Sequence, residues 1–153
     1  MKNHYERIRL YGFTQDPNTL DYMIVVNYED LCPDCYGPYT NKESKWCKEC
    51  NAKQFQQDFW TSGNEFIDGF IRETQLNATS PHEFLEWIPY NKFKDIEFLD
   101  KGGFSTVYKA TWLDGPIEQW PYDERKWIRK KRIVALKSLN DSSNLSEEFL
   151  NEV

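Results

Sequence analysis

Histidine and methionine are scarce in this chain, two of each in 153 residues, and no run of aliphatic side chains is longer than four. The longest runs, at residues 23–26 and 133–136, cannot build a transmembrane helix or the core of a signal peptide. That points to a cytoplasmic protein, with the nucleus also open to it, and to no membrane partner. Positive charge is in short supply as well: 19 Lys and Arg against 25 Asp and Glu leave −6. This is the wrong sign for a protein whose main work is gripping phosphate backbones, so nucleic acid is not expected as a partner. His4 and His82 lie far from each other and from a plausible nucleophile, and no chemistry is assigned to them. There is no internal repeat and no low-complexity tract. Aromatic rings are plentiful, at 16% of residues, which predicts a packed core rather than a disordered chain.

Composition divides the sequence into four stretches: 1–30, 31–57, 58–92 and 93–153. The first is a Tyr-rich segment with a strand candidate at 22–26. The second holds all four cysteines, with Pro33, Gly37 and Pro38 as turn formers. The third is a helical linker: Ser62 and Glu65 have the spacing of a capping box, and Phe66, Ile67, Phe70 and Ile71 recur at helical intervals. A second short helix is predicted near 82–88, stopping before Pro89. From Phe93 the apolar period moves toward two. This predicts a strand, a turn at Lys101, Gly102 and Gly103, a second strand to Trp112 and a third over 133–139. A last helix is predicted from an Asn144 cap, with Glu147 three residues on. It has run only about two turns by residue 153, too few to stand alone in water, so the element reads as cut.

Cys32-Pro33-Asp34-Cys35 and Cys47-Lys48-Glu49-Cys50 form two C-x2-C pairs eleven residues apart. Two residues between thiolates let both sulfurs close on one ion at about 2.3 Å, and two such pairs complete a tetrahedral site. Because protein supplies all four ligands, the implied metal is structural zinc in a small ribbon-like module. Iron in a rubredoxin-like S4 site uses the same ligands. Two disulfides or four free thiols are the other uses of these cysteines; disulfides fit a non-exported chain poorly.

Three further features follow in fixed order. Residues Leu99, Asp100, Lys101, Gly102, Gly103, Phe104, Ser105, Thr106 and Val107 form a hairpin turn whose glycines let backbone amides approach phosphate oxygens. In Ile133-Val134-Ala135-Leu136-Lys137, strand alternation puts Ala135 and Lys137 on one face. Glu152 in the final helix is placed to pair with Lys137. Together these resemble the N-terminal lobe of a eukaryotic protein kinase: the loop resembles G-x-G-x-x-G-x-V, the strand resembles V-A-I-K, and the helix resembles αC with its glutamate. With the cysteine module and Leu85-Glu86-Trp87-Ile88-Pro89-Tyr90 in front, the chain further resembles kinase-like proteins expanded in mycorrhizal fungi.

The resemblance implies an α+β chain: a four-cysteine zinc-ribbon-like module, a helical linker and a partial kinase N-lobe, made of an antiparallel sheet and the start of αC. It implies ATP, with magnesium in a complete kinase, as cofactor. Leu99, Val107 and Ala135 would enclose adenine. Gly102, Gly103 and Ser105 would lie over the phosphates, and Lys137, held by Glu152, would contact the α and β phosphates. Asp100 and Ser105 stand where the first and third glycines of the loop are expected. The implied reaction is phosphoryl transfer to Ser or Thr hydroxyls of a protein substrate. These 153 residues contain neither H-R-D nor D-F-G, so they are expected to be inactive by themselves. A non-enzymatic zinc-binding interaction module carrying a relic lobe is the alternative. The basic stretch from Arg125 to Arg132 reads as a solvated hairpin on which Trp120 and Trp127 could pair, with a nuclear-localisation patch as its competitor.

Overall fold

A computed structural model describes residues 8–58, 60–103 and 105–139. The helix predicted from Asn144, Glu152 within it, and Phe104 of the glycine turn lie outside the described residues. The described chain is α+β, with two α-helices and antiparallel sheets. Among the described residues no helix is long and apolar enough to cross a membrane.

The chain opens with a ribbon of β1 (Leu10–Gln15) and β2 (Tyr22–Val26), paired from Gln15↔Tyr22 to Gly12↔Val25. Asp16 closes the loop between them: its carboxylate accepts from the Asn18 amide at 2.8 Å and its carbonyl from the Leu20 amide at 2.9 Å. The cysteine segment then runs into α1 (Lys48–Gln57). Lys48, Glu49, Ala52, Lys53 and Gln54 are good helix formers, a signal that the cysteine spacing had masked.

The predicted linker helix is α2 (Glu65–Asn77). Its cap is Asn64 rather than Ser62: the Asn64 side chain accepts from the amides of Phe66 at 3.0 Å and Ile67 at 3.2 Å. Ser62, two residues before the cap, donates to the Asp68 carboxylate at 2.6 Å. The second short helix expected near 82–88 does not form. Residues 84–89 run without regular structure because α2 takes their backbone groups sideways: Gln75 donates to the Leu85 carbonyl at 3.0 Å, and the Leu85 amide donates to Thr74 Oγ1 at 3.0 Å. Side-chain partners from a neighbouring helix outcompete a helix confined between Pro81 and Pro89.

Beyond a short 3-10 turn, β3 (Phe93–Lys101) and β4 (Ser105–Trp112) form the hairpin read from the sequence. A small ribbon of β5 (Ile117–Gln119) and β6 (Ile128–Arg129) follows, then β7 (Arg132–Leu139), which pairs with β4 to give a sheet of order β3-β4-β7. Trp120 and Trp127 meet edge-on across the small ribbon, with ring centroids 4.7 Å apart.

The core is assembled from three sequence stretches. Trp46 and Phe55 come from the cysteine segment, Ala78 and Phe84 from the chain after α2, and Ile117 and Trp127 from the β5–β6 ribbon. Trp46 is 1% exposed, and its indole N–H is satisfied by the Ala78 carbonyl at 3.1 Å. Gly115 lets the ribbon close. Its φ is +69°, and a Cβ there would lie 1.6 Å from the Lys130 carbonyl oxygen, so only glycine fits.

Candidate metal centre

The four predicted cysteines converge. Cys32 Sγ lies 3.7 Å from Cys50 Sγ, Cys35 Sγ lies 3.6 Å from Cys47 Sγ, and all four sulfurs fall within 4.8 Å of one another. A tetrahedron with metal–sulfur bonds of about 2.3 Å has edges of about 3.8 Å, so the thiols are spaced to hold a zinc ion. A disulfide would need sulfurs about 2.0 Å apart, and all four cysteines are free.

Local backbone chemistry explains the convergence. The first pair sits on a tight turn: the Cys32 amide donates to the Gly37 carbonyl and the Tyr36 amide to the Cys32 carbonyl, both at 2.8 Å. The Gly37 amide lies 3.4 Å from Cys35 Sγ, donating to it. The left-handed residue of this turn is Tyr36, with φ 57°, and not Gly37. A Cβ at 37 would meet the same sulfur at 3.4 Å, an ordinary contact, so neither conformation nor packing demands glycine there. The second pair does not repeat this turn, as a ribbon would. Cys47 is the N-cap of α1 and Cys50 lies in its first turn, so the start of one helix carries both sulfurs.

Burial sets the electrostatics. It pushes the Cys47 thiol up to about 12, assisted by the nearby charges of Cys32 and Cys35. Cys50 is also raised, by burial and then by Cys47. Burial opposes charge on Cys32 too, yet its thiol is held below the ordinary value by the Tyr122 hydroxyl and the amides of Cys35 and Asp34. Cys32 is therefore the sulfur best prepared to be a thiolate.

Tyr122 was not legible in the sequence as part of this site. It arrives from the turn between β5 and β6, with its ring 6.3 Å from that of Tyr39. Burial raises its own pKa, so its hydroxyl stays a donor. Arg125 from the same turn pairs with Asp34 at 3.2 Å. The basic stretch thus contributes to the surroundings of the cysteines. No local pattern marks this role, which depends on a contact 91 residues away in sequence. With four protein donors the centre has no open ligand position, so a metal held there would be structural.

The residues expected to face a nucleotide lie on the larger sheet. Val107 pairs with Lys137, and Lys109 pairs with Ala135. Paired and alternate positions share a face, so Val107, Ala135 and Lys137 lie together. Leu99 sits at a bulge just before Asp100, which pairs with Val107. Lys101 pairs with Thr106, and the turn between them closes through a 2.8 Å bond from the Gly102 amide to the Ser105 carbonyl. Neither Gly102 nor Gly103 has a left-handed φ, and an added Cβ would meet nothing closer than 3.7 Å. Neither conformation nor packing requires these glycines, and their effect is to keep the turn thin. The Asp100 carboxylate accepts from the Lys101 amide at 2.8 Å. Lys137 is exposed.

Comparison with known proteins yields a partial likeness. The chain is 34% identical over 88 residues to Protein SUPPRESSOR OF NPR1-1 CONSTITUTIVE 4 of Arabidopsis thaliana, an alignment covering 54% of this chain and 6% of that protein. The chain thus spans a small fraction of the length of this curated relative. No protein-family model matches the chain, and no solved structure matches it.

Proposed function

We propose that this chain is the front portion of an ATP-dependent protein kinase, its N-lobe sheet joined to a structural zinc module. The observation that carries this is the register of β4 against β7, which sets Val107, Ala135 and Lys137 on one face beside a glycine turn. Val107 and Ala135 are small enough to leave room for a flat ring. The Lys137 ammonium would serve as a point charge for the α and β phosphates, steadied by Glu152. Magnesium-ATP, when bound, supplies the phosphoryl group, and the acceptor is a Ser or Thr hydroxyl of a protein substrate.

Asp100 places a carboxylate beside that turn, where it repels phosphate, so nucleotide affinity of residues 1–153 is expected to be weak. Titration of the isotope-labelled chain with Mg-ATP tests this. Amide shifts should gather at 99–107 and 135–137, saturate only in the millimolar range and vanish in Lys137→Ala. No shifts at saturating nucleotide, or shifts clustered elsewhere, would contradict the kinase assignment. The four-sulfur site, set in its own small cluster with Tyr39 and Tyr122, favours a second reading: a zinc-stabilised interaction module without enzymatic activity. That module would give the null titration and keep its metal.

A further inference from the structure

Three tryptophans that take no part in the core line one cleft. Trp60, Trp87 and Trp112, with Ile88 and Pro89, border a cavity of about 360 Å³. It adjoins a hollow of about 220 Å³ that shares Trp60, Trp87, Glu86 and Arg129. Trp60 is 70% exposed and Trp87 38% exposed, and neither stacks on another ring among the described residues. Together with Trp112, Ile88 and Pro89 they make one contiguous apolar surface, the kind that marks an interaction site.

Hydrogen bonding narrows what that is. The buried indoles use their N–H groups internally: Trp46 donates to Ala78, and Trp127 donates to Asp58 at 3.2 Å. The N–H groups of Trp60, Trp87 and Trp112 donate to no described residue. The acids at the rim are already engaged. Both Glu86 oxygens meet the Arg129 guanidinium, which also donates to the Gly115 carbonyl at 3.0 Å. Asp114 pairs with Lys92 at 2.9 Å. The main cavity therefore offers flat apolar faces, indole N–H groups that no described residue accepts from, and carboxylates already held in ion pairs. The neutralised acids and the cations beside them disfavour a quaternary ammonium, which otherwise suits aromatic walls.

We propose that this cleft binds a proline-rich segment of a partner protein in the polyproline II conformation. Such a segment is the chemical complement: proline has no N–H to satisfy, its carbonyls point outward as acceptors, and its rings stack on indoles. The volume suits about one three-residue turn of that helix. This inference is independent of the kinase assignment.

Deca-L-proline titrated into the metal-loaded chain, followed by calorimetry and tryptophan fluorescence, is the test. Saturable binding is expected. Trp60→Ala and Trp87→Ala should each weaken it about tenfold, a loss of about 1.4 kcal/mol, with metal content and near-ultraviolet circular dichroism unchanged. Trp60→Phe, which keeps a ring and removes the donor, should lose less than the alanine variant but still measurably. If Trp87→Ala fails to fold, the largely exposed Trp60 still decides the matter. No saturation at millimolar peptide, binding untouched by Trp60→Ala, or binding of choline in place of the peptide would overturn the proposal.

Discussion

Replacing Trp127 by alanine should loosen the cysteine centre even though residue 127 lies 77 positions from the last cysteine, Cys50. Its ring stacks on Phe55 at 4.8 Å and meets Trp120 edge-on at 4.7 Å, and its N–H donates to Asp58 at 3.2 Å. Each ring pair contributes about 0.5–1.5 kcal/mol beyond area burial. The exposed hydrogen bond adds no more than about 1 kcal/mol. Removing a large core aromatic costs about 3–5 kcal/mol, and the partial burial of Trp127 places it at the low end, near 3. Against a whole-domain stability of about 5–15 kcal/mol this is a large fraction. It corresponds to a fall in Tm of roughly 6–12 °C for a chain of this size. Phe55 sits on α1, whose N-cap and first turn carry Cys47 and Cys50, so opening this core also opens the centre. Metal release to a colorimetric chelator should accelerate by about a hundredfold if release follows that opening. Trp127→Phe, which keeps a stacking ring, should recover most of the loss. A Trp127→Ala chain within about 1 kcal/mol of the parent, or one destabilised with an unchanged release rate, would refute a shared core.

Gly115→Ala should be more damaging than its small volume suggests, because the added methyl overlaps the Lys130 backbone; a loss of more than about 2 kcal/mol in urea unfolding is expected. Asn51, 1% exposed, has neither side-chain polar atom hydrogen-bonded among the described residues. Asn51→Leu should therefore stabilise the chain by about 1 kcal/mol, measured by the same method, and a clear loss would mean that the amide has a partner in the metal-loaded state. Metal affinity should fall steeply with acid. Burial raises Cys47 to about 12 and also raises Cys50, so both are protonated in the free chain near neutrality, and binding must release both protons. Apparent affinity should drop at least about a hundredfold for each pH unit lost below neutrality, measured by competition with a chelator of known affinity. A slope below one proton would contradict ligation by these two sulfurs.

The cysteine cluster was the most legible part of the sequence because its geometry is local: C-x2-C places two sulfurs together whatever surrounds them. The strands at 22–26, 93–101, 105–112 and 132–139 were legible for a similar reason, since apolar alternation and a glycine turn act over a few residues. What escaped depends on distant partners. The short helix expected near 82–88 fails because Thr74 and Gln75 on α2 claim the Leu85 backbone. The Ser62 cap yields to Asn64, which stands two residues nearer the first helical amides. Arg125 read as a member of a solvated hairpin and Tyr122 carried no local signal, and only the folded chain brings them to Asp34 and Cys32. Ala135 and Lys137 share a face, as strand alternation predicted, but a nucleotide-binding role depends on chemistry that the register alone does not supply.

X-ray absorption at the zinc edge, with elemental analysis of the chain purified without added chelator, tests the central claim most directly. One zinc per chain surrounded by four sulfurs at about 2.3 Å is the result expected. A chain that is folded with no bound metal, or zinc held by nitrogen or oxygen in place of any of the four sulfurs, would contradict it.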